Sequence, residues 1–121
     1  MAGRGLNLFG DADELANYSK AVPPEDGFFD VAGHGDEVSM EGPHGEDISP
    51  RDLADSLRAN PDYAPGTNVR LLSCYVGSCD TGFAAQLADE LGVQVKAPTG
   101  LLDIYDNGTL EVEGTWRTFG S

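Results

Sequence analysis

Two side chains in this sequence could do covalent chemistry together. Cys74 closes the apolar run "LLSC" (71–74), and His34 follows the apolar run "DVAG" (30–33). A thiol has a reference pKa of about 8.5, so only a few per cent of it is thiolate at neutral pH. A neighbouring imidazole can take that proton and later return it to a departing amine. Acyl transfer also needs hydrogen-bond donors for the oxyanion. The backbone N–H groups of Gly35 and Cys74 are the candidates. Glycine at 35 leaves room for a substrate lying against the backbone. These are the parts of a thiol hydrolase, provided that the fold brings together residues that are forty apart in the chain.

The elements around them suggest that it does. Residues 27–33, "GFFDVAG", and 68–74, "NVRLLSC", each read as a short buried strand. Between them lies "SPRDLADSLRAN", with Ser49 as N-cap, Pro50 at the first helical position, and Leu53, Ala54 and Leu57 on one face. A second helix is expected over 81–92, with Phe83, Ala84, Leu87, Ala88 and Leu91 inward and Gly92 as terminator. A third strand follows over 93–97, "VQVKA". Upstream, "DADELANYSKAV" reads as a helix capped by Asp11, with Glu14 as its capping-box partner. "LNLF" reads as a short strand in an otherwise loose lead-in over 1–10. Residues 34–48 read as a small hairpin or flap. In the tail, 100–121, Asp106-Asn107-Gly108 supplies the turn of a C-terminal β-hairpin, and a last strand runs through Trp116 and Phe119.

Strands alternating with helices indicate an α/β domain with a mostly parallel sheet. Neighbouring strands lie about 4.8 Å apart. If 28–33 and 69–74 are parallel neighbours, His34 and Cys74 emerge side by side at the carboxyl ends. Open α/β sheets place their sites in that crevice.

At 121 residues and 40% hydrophobic composition, the chain is expected to be one domain, 1–121, with a single modest core. A net charge of −14 disfavours nucleic acid and anionic membranes as partners. The start, "MAGRGLNLFG", lacks the apolar core of a signal peptide, and no stretch approaches the roughly 18 apolar residues of a membrane span. Cys74 and Cys79 do not form a disulfide framework, and a bridge between them would be atypical.

A hydrophobic strand ending in His-Gly, then a helix, then a hydrophobic strand ending in a small residue and Cys resembles the caspase-like cysteine peptidases. The matching residues are Val31-Ala32-Gly33-His34-Gly35 and Leu71-Leu72-Ser73-Cys74, and the likeness runs over roughly 27–100. "ISPRDLADSLRANPDYAPGTNVRLLSC" is also similar in style to small C-terminal domains of bacterial polymorphic toxins. The resemblance implies a three-layer caspase-like core, Cys74 as nucleophile and His34 as general acid/base. It also implies an oxyanion hole from the Gly35 and Cys74 amides, and no cofactor. The substrate would be a protein or peptide, cut by a toxin effector or self-processing domain that is secreted or delivered within a larger polypeptide. An immunity protein is a candidate partner. Ser73 stands where the family more often has Ala or Gly.

The specificity pocket is not legible. Asp36, Asp80 and Asp103 are candidates to receive a basic side chain at P1, just before the scissile bond, in a chain where most acids simply face water. Other readings compete. A caspase-like shell without activity could serve as an interaction module, and a deamidase-type toxin would use the same Cys/His pair. His34, His44, Cys74 and Cys79 are potential zinc ligands, but their spacing matches no standard finger, so no metal is expected.

Overall fold

Alternation along the central strands decides which way each residue faces. The computed structural model describes Met1 and residues 5–120. In chain order the elements are β1 (Gly5–Asn7), α1 (Glu14–Lys20), β2 (Phe28–Ala32), β3 (Met40–Glu41), β4 (Asp47–Ile48), α2 (Pro50–Ala59), β5 (Asn68–Leu72), α3 (Phe83–Leu91), β6 (Val95–Pro98), β7 (Leu102–Ile104), β8 (Leu110–Val112) and β9 (Trp116–Phe119). Five strands form one sheet in the order β1-β2-β5-β6-β9. Its first four strands are parallel, and β9 runs antiparallel to β6. The protein is therefore a mixed α/β domain with a mostly parallel sheet and three helices.

Phe29 and Val31 of β2, Val69 and Leu71 of β5, and Val95 and Ala97 of β6 share a core with Leu53 and Leu57 of α2 and Phe83 and Leu87 of α3. The alternate residues Ala32 and Leu72 join a second cluster with Phe9, Ala16, Val22, Leu102 and Ile104. The sheet is thus covered on both faces: by α2 and α3 on one side, and by α1 and the β7–β8 pair on the other. Burial of each large aliphatic side chain contributes about 1.5–3 kcal/mol. The helix grammar of α2 forms as expected. The Ser49 hydroxyl accepts from the Asp52 N–H, and the Asp52 carboxylate accepts from the Ser49 N–H. Helix α3 ends at Gly92 in the left-handed conformation (φ 67°) that glycine adopts without steric penalty.

The register of the sheet is pinned by charge. Asp30 pairs across to Arg70, and Arg70 across to Lys96, on the α1 side. Arg70 donates from Nε and Nη2 to the two Asp30 oxygens at 2.7 and 2.8 Å, with both side chains buried. Lys96 Nζ meets Glu25 at 2.9 Å. A slip of one residue would carry these charges to the apolar face, where an unpaired buried charge costs about 3–5 kcal/mol. The same register sets Ala32 opposite Leu72. His34 and Cys74 each come two residues after those strand ends, so both leave the sheet at its carboxyl edge.

Three expectations change. Helix α1 is capped by Asp13, whose carboxylate accepts from the Leu15 N–H, and Glu14 is then its first residue. Asp11 lies in the preceding turn, so no capping box with Glu14 can form. The lead-in is tighter than a loose segment: Gly5–Asn7 is an edge strand, and Leu8 and Phe9 are buried. Residues 2–4 of that lead-in, and Ser121 at the end of the tail, lie outside the described residues. The tail divides into two parts. β7 pairs with β8, while β9 leaves them to extend the main sheet.

Candidate active site

The ladder between β2 and β5 continues one step beyond the strands, where Gly33 N–H donates to Leu72 O at 3.2 Å. His34 and Cys74 follow. The His34 carbonyl is held by the Glu41 N–H of β3 at 2.8 Å. Its half-exposed imidazole turns toward α1. Nε2 lies 2.6 Å from Asp13 Oδ2, and the ring meets Phe9 edge-on at 4.7 Å between centroids. One carboxylate thus does two jobs: Oδ1 caps α1 through Leu15, and Oδ2 orients the imidazole. Those two bonds, the one to His34 first, hold the Asp13 carboxyl below the usual carboxylate range. With Nε2 engaged, Nδ1 is the ring nitrogen left for proton transfer.

Asp13 is itself held in place by the turn that precedes it. Its N–H donates to Gly10 O at 2.9 Å, and Asn7 bridges the same segment by donating to Ala16 O at 2.8 Å.

Cys74 is half-buried on the same side of the sheet, against the cluster that contains Phe9, Ala32 and Leu72. The main chain of Leu102 brackets its sulfur. The Leu102 N–H donates to Sγ at 3.4 Å, and Sγ lies 3.7 Å from Leu102 O. The next residue, Tyr75, has φ 61° and is the one non-glycine with positive φ among the described residues. Such a conformation is unusual for a bulky side chain and persists where surroundings enforce it. Here the Tyr75 N–H donates to Gly100 O and the Gly77 N–H to Pro98 O, each at 2.9 Å. The chain therefore turns sharply just after the sulfur.

Gly35 joins the two strand ends. A Cβ at that position would lie 2.3 Å from Ser73 Oγ, 2.9 Å from Val76 Cγ1 and 3.4 Å from Cys74 O. A side chain there would meet Ser73 and Val76 within the fold itself. Among the described residues, neither the Gly35 N–H nor the Cys74 N–H donates a hydrogen bond. Nor is there a hydrogen bond between His34 and Cys74. The imidazole is engaged by Asp13 and the sulfur by Leu102.

The family model described as Domain of unknown function (DUF8616) matches residues 4–112. The chain belongs to that family. The matched span of the DUF8616 domain contains Asp13, His34, Gly35, Cys74 and Leu102. No curated protein matches the chain.

The other polar candidates of the DUF8616 domain are dispersed. His44 sits in the exposed β3–β4 turn, where its N–H donates to Glu46. Cys79 is exposed, and both cysteines are free thiols. Among the described residues no three His, Cys, Asp or Glu side chains gather as a metal cluster. Asp36 accepts from the Val38 and Ser39 N–H groups, and those bonds hold its carboxyl below the usual range. Asp80 pairs with Arg117. Asp103 lies exposed on β7. No described helix is long and apolar enough to cross a membrane.

Asp13 is the residue that sequence reasoning missed. Its signal was present but double: Asp11 and Asp13 both precede the helical run, and only the second is placed to cap it and reach His34.

Proposed function

We propose that this DUF8616 domain is a cysteine-dependent peptidase with a caspase-like core, in which Cys74 is the nucleophile and His34 the general acid/base. One observation carries the reading. His34 and Cys74 stand in matching positions just beyond paired parallel strands, and both pack on the α1 side of the sheet. Ala32 and Leu72, two residues before them, are ladder partners, so the imidazole and the thiol leave the sheet at the same edge.

In the proposed reaction His34 Nδ1 accepts the thiol proton, and the thiolate attacks the peptide carbonyl carbon. The Leu102 N–H, already donating to Sγ, holds the sulfur in place for the attack. The negative oxygen of the tetrahedral intermediate accepts from the Gly35 and Cys74 N–H groups, neither of which has another acceptor among the described residues. The imidazolium then gives its proton to the leaving amine as the C–N bond breaks. Water, deprotonated by His34, attacks the thioester and releases the carboxylic acid, and the thiol is regenerated. Asp13 is a positioning residue. It fixes the ring orientation and keeps the proton on Nε2, so that Nδ1 begins each cycle as the acceptor.

The likeness of residues 48–74 to bacterial toxin domains supports a role as an effector or self-processing unit. The test is cleavage of a peptide library by the wild type beside Cys74→Ala. Cleavage lost in the variant is the expected result. Equal cleavage by both, or none by either, contradicts the proposal.

A further inference from the structure

A cleft of about 560 Å³ opens beside the imidazole, between the β1–α1 segment and the β3–β4 turn. His34 forms part of its wall, and Cys74 does not line it. In the strand order, β5 with Cys74 lies on one side of β2, and β1 lies on the other. The cleft is therefore on the flank of His34 away from the sulfur.

That placement has a chemical meaning. In amide hydrolysis the thiolate attacks the carbonyl carbon while the acid delivers its proton to nitrogen. The chain that leaves with the nitrogen must pass the imidazole on the side remote from sulfur. The cleft meets it there. Leu15 and Tyr18 of α1 supply an apolar wall, and Asp13, Glu14 and Glu41 supply carboxylates from two separate segments. No lysine or arginine lines it. The Glu14 carboxylate has only a long contact, 3.5 Å, from the Tyr18 hydroxyl, and Glu41 has no cationic partner among the described residues. The Glu14 charge foremost, then desolvation and the Asp106 charge, raise the Tyr18 hydroxyl above its usual range. An apolar wall beneath a carboxylate rim suits a side chain with an aliphatic stem and a cationic head.

We infer that the cleft receives a lysine or arginine side chain immediately C-terminal to the scissile bond. The inference rests on the proposed peptidase chemistry and names the substrate class of that same site. It names Glu14 and Glu41 as the specificity-determining carboxylates of this cleft, which Asp36, Asp80 and Asp103 do not line.

The test uses internally quenched peptides of one sequence, with Lys, Arg, Ala or Glu at the position after the cleaved bond. Two exposed carboxylates together are worth on the order of tenfold in kcat/KM for Lys or Arg over Ala, with Glu slowest. That preference should shrink as salt rises, and it should approach unity in the double variant Glu14→Gln, Glu41→Gln. Thermal melting of the double variant checks that it folds. Binding is read separately by NMR titration of Cys74→Ala with the product peptide Lys-Ala-Ala-amide. The amides of Leu15 and Gly42 should shift, and Ala-Ala-Ala-amide should shift them less. Equal rates for Lys and Glu overturn the inference, as does a basic preference confined to the residue before the scissile bond. Failure to cleave any peptide would sink the peptidase reading, while selective shifts with the lysine peptide would still uphold the cleft as a cation site.

Discussion

Replacing Asp13 by Asn separates the two jobs that its carboxylate performs. Asparagine caps helices as well as aspartate does, so the bond from the Leu15 N–H can be kept. That bond needs an oxygen, which turns the amide nitrogen toward His34 Nε2. An N–H donor there demands an acceptor ring nitrogen, so the neutral imidazole is driven to carry its proton on Nδ1. Nδ1–H cannot accept the thiol proton. The expected outcome is a stability change under about 1 kcal/mol with a loss in kcat on the order of 10²- to 10⁴-fold. Asp13→Ala should lose activity too, but it also removes the cap of a seven-residue helix and should cost about 0.5–2 kcal/mol. Urea titration gives the stabilities, and turnover of a library-derived fluorogenic peptide gives the rates. Asp13→Asn with unchanged turnover would refute the positioning role. So would activity in both variants that falls only as far as their folded fraction does.

Four further outcomes are expected. Because the folded-state pKa of Asp13 is depressed, its contribution to stability is present above the ordinary carboxylate range, about pH 4, and is lost as pH falls through the lowered value. Urea midpoints of wild type minus Asp13→Asn should converge along that acid limb. Gly35→Ala drives a methyl into Ser73 Oγ and should destabilise by about 1–3 kcal/mol, part of which Ser73→Ala should restore in a double-mutant cycle. Ser73→Ala alone removes a buried hydroxyl that has no hydrogen-bond partner, and calorimetry should find it neutral or stabilising. Arg70→Ala leaves the Asp30 carboxylate buried and unpaired, and chemical denaturation should show a loss of about 3–5 kcal/mol.

Much of the frame was legible because local signals and burial agreed. The apolar runs at 28–32 and 68–72 form the central strands, and Ser49-Pro50 and Gly92 bound their helices as written. Parallel pairing followed from strand–helix–strand order, and with it the shared end of His34 and Cys74. What local signals could not carry was choice among equals. Asp11 and Asp13 are alike as caps until the distant His34 selects one. β9 carries the strand pattern of a hairpin partner, yet the free edge of β6 takes it up. The acids lining the cleft look no different in sequence from those facing water, because that distinction is made by a strand, a helix and a turn meeting in space. The contact of Gly35 with Ser73 and Val76 was not legible either, because those residues lie about forty positions away in sequence.

The central claim is that one imidazole serves one sulfur. The direct measurement is the pH dependence of Cys74 alkylation by iodoacetamide, in a Cys79→Ser background, with and without His34→Ala. His34 is expected to speed the alkylation of Cys74 at neutral pH by taking up the thiol proton, and that gain is expected to disappear in the variant. Superimposable profiles from the two proteins would mean that the sulfur does not sense the histidine, and would contradict the account.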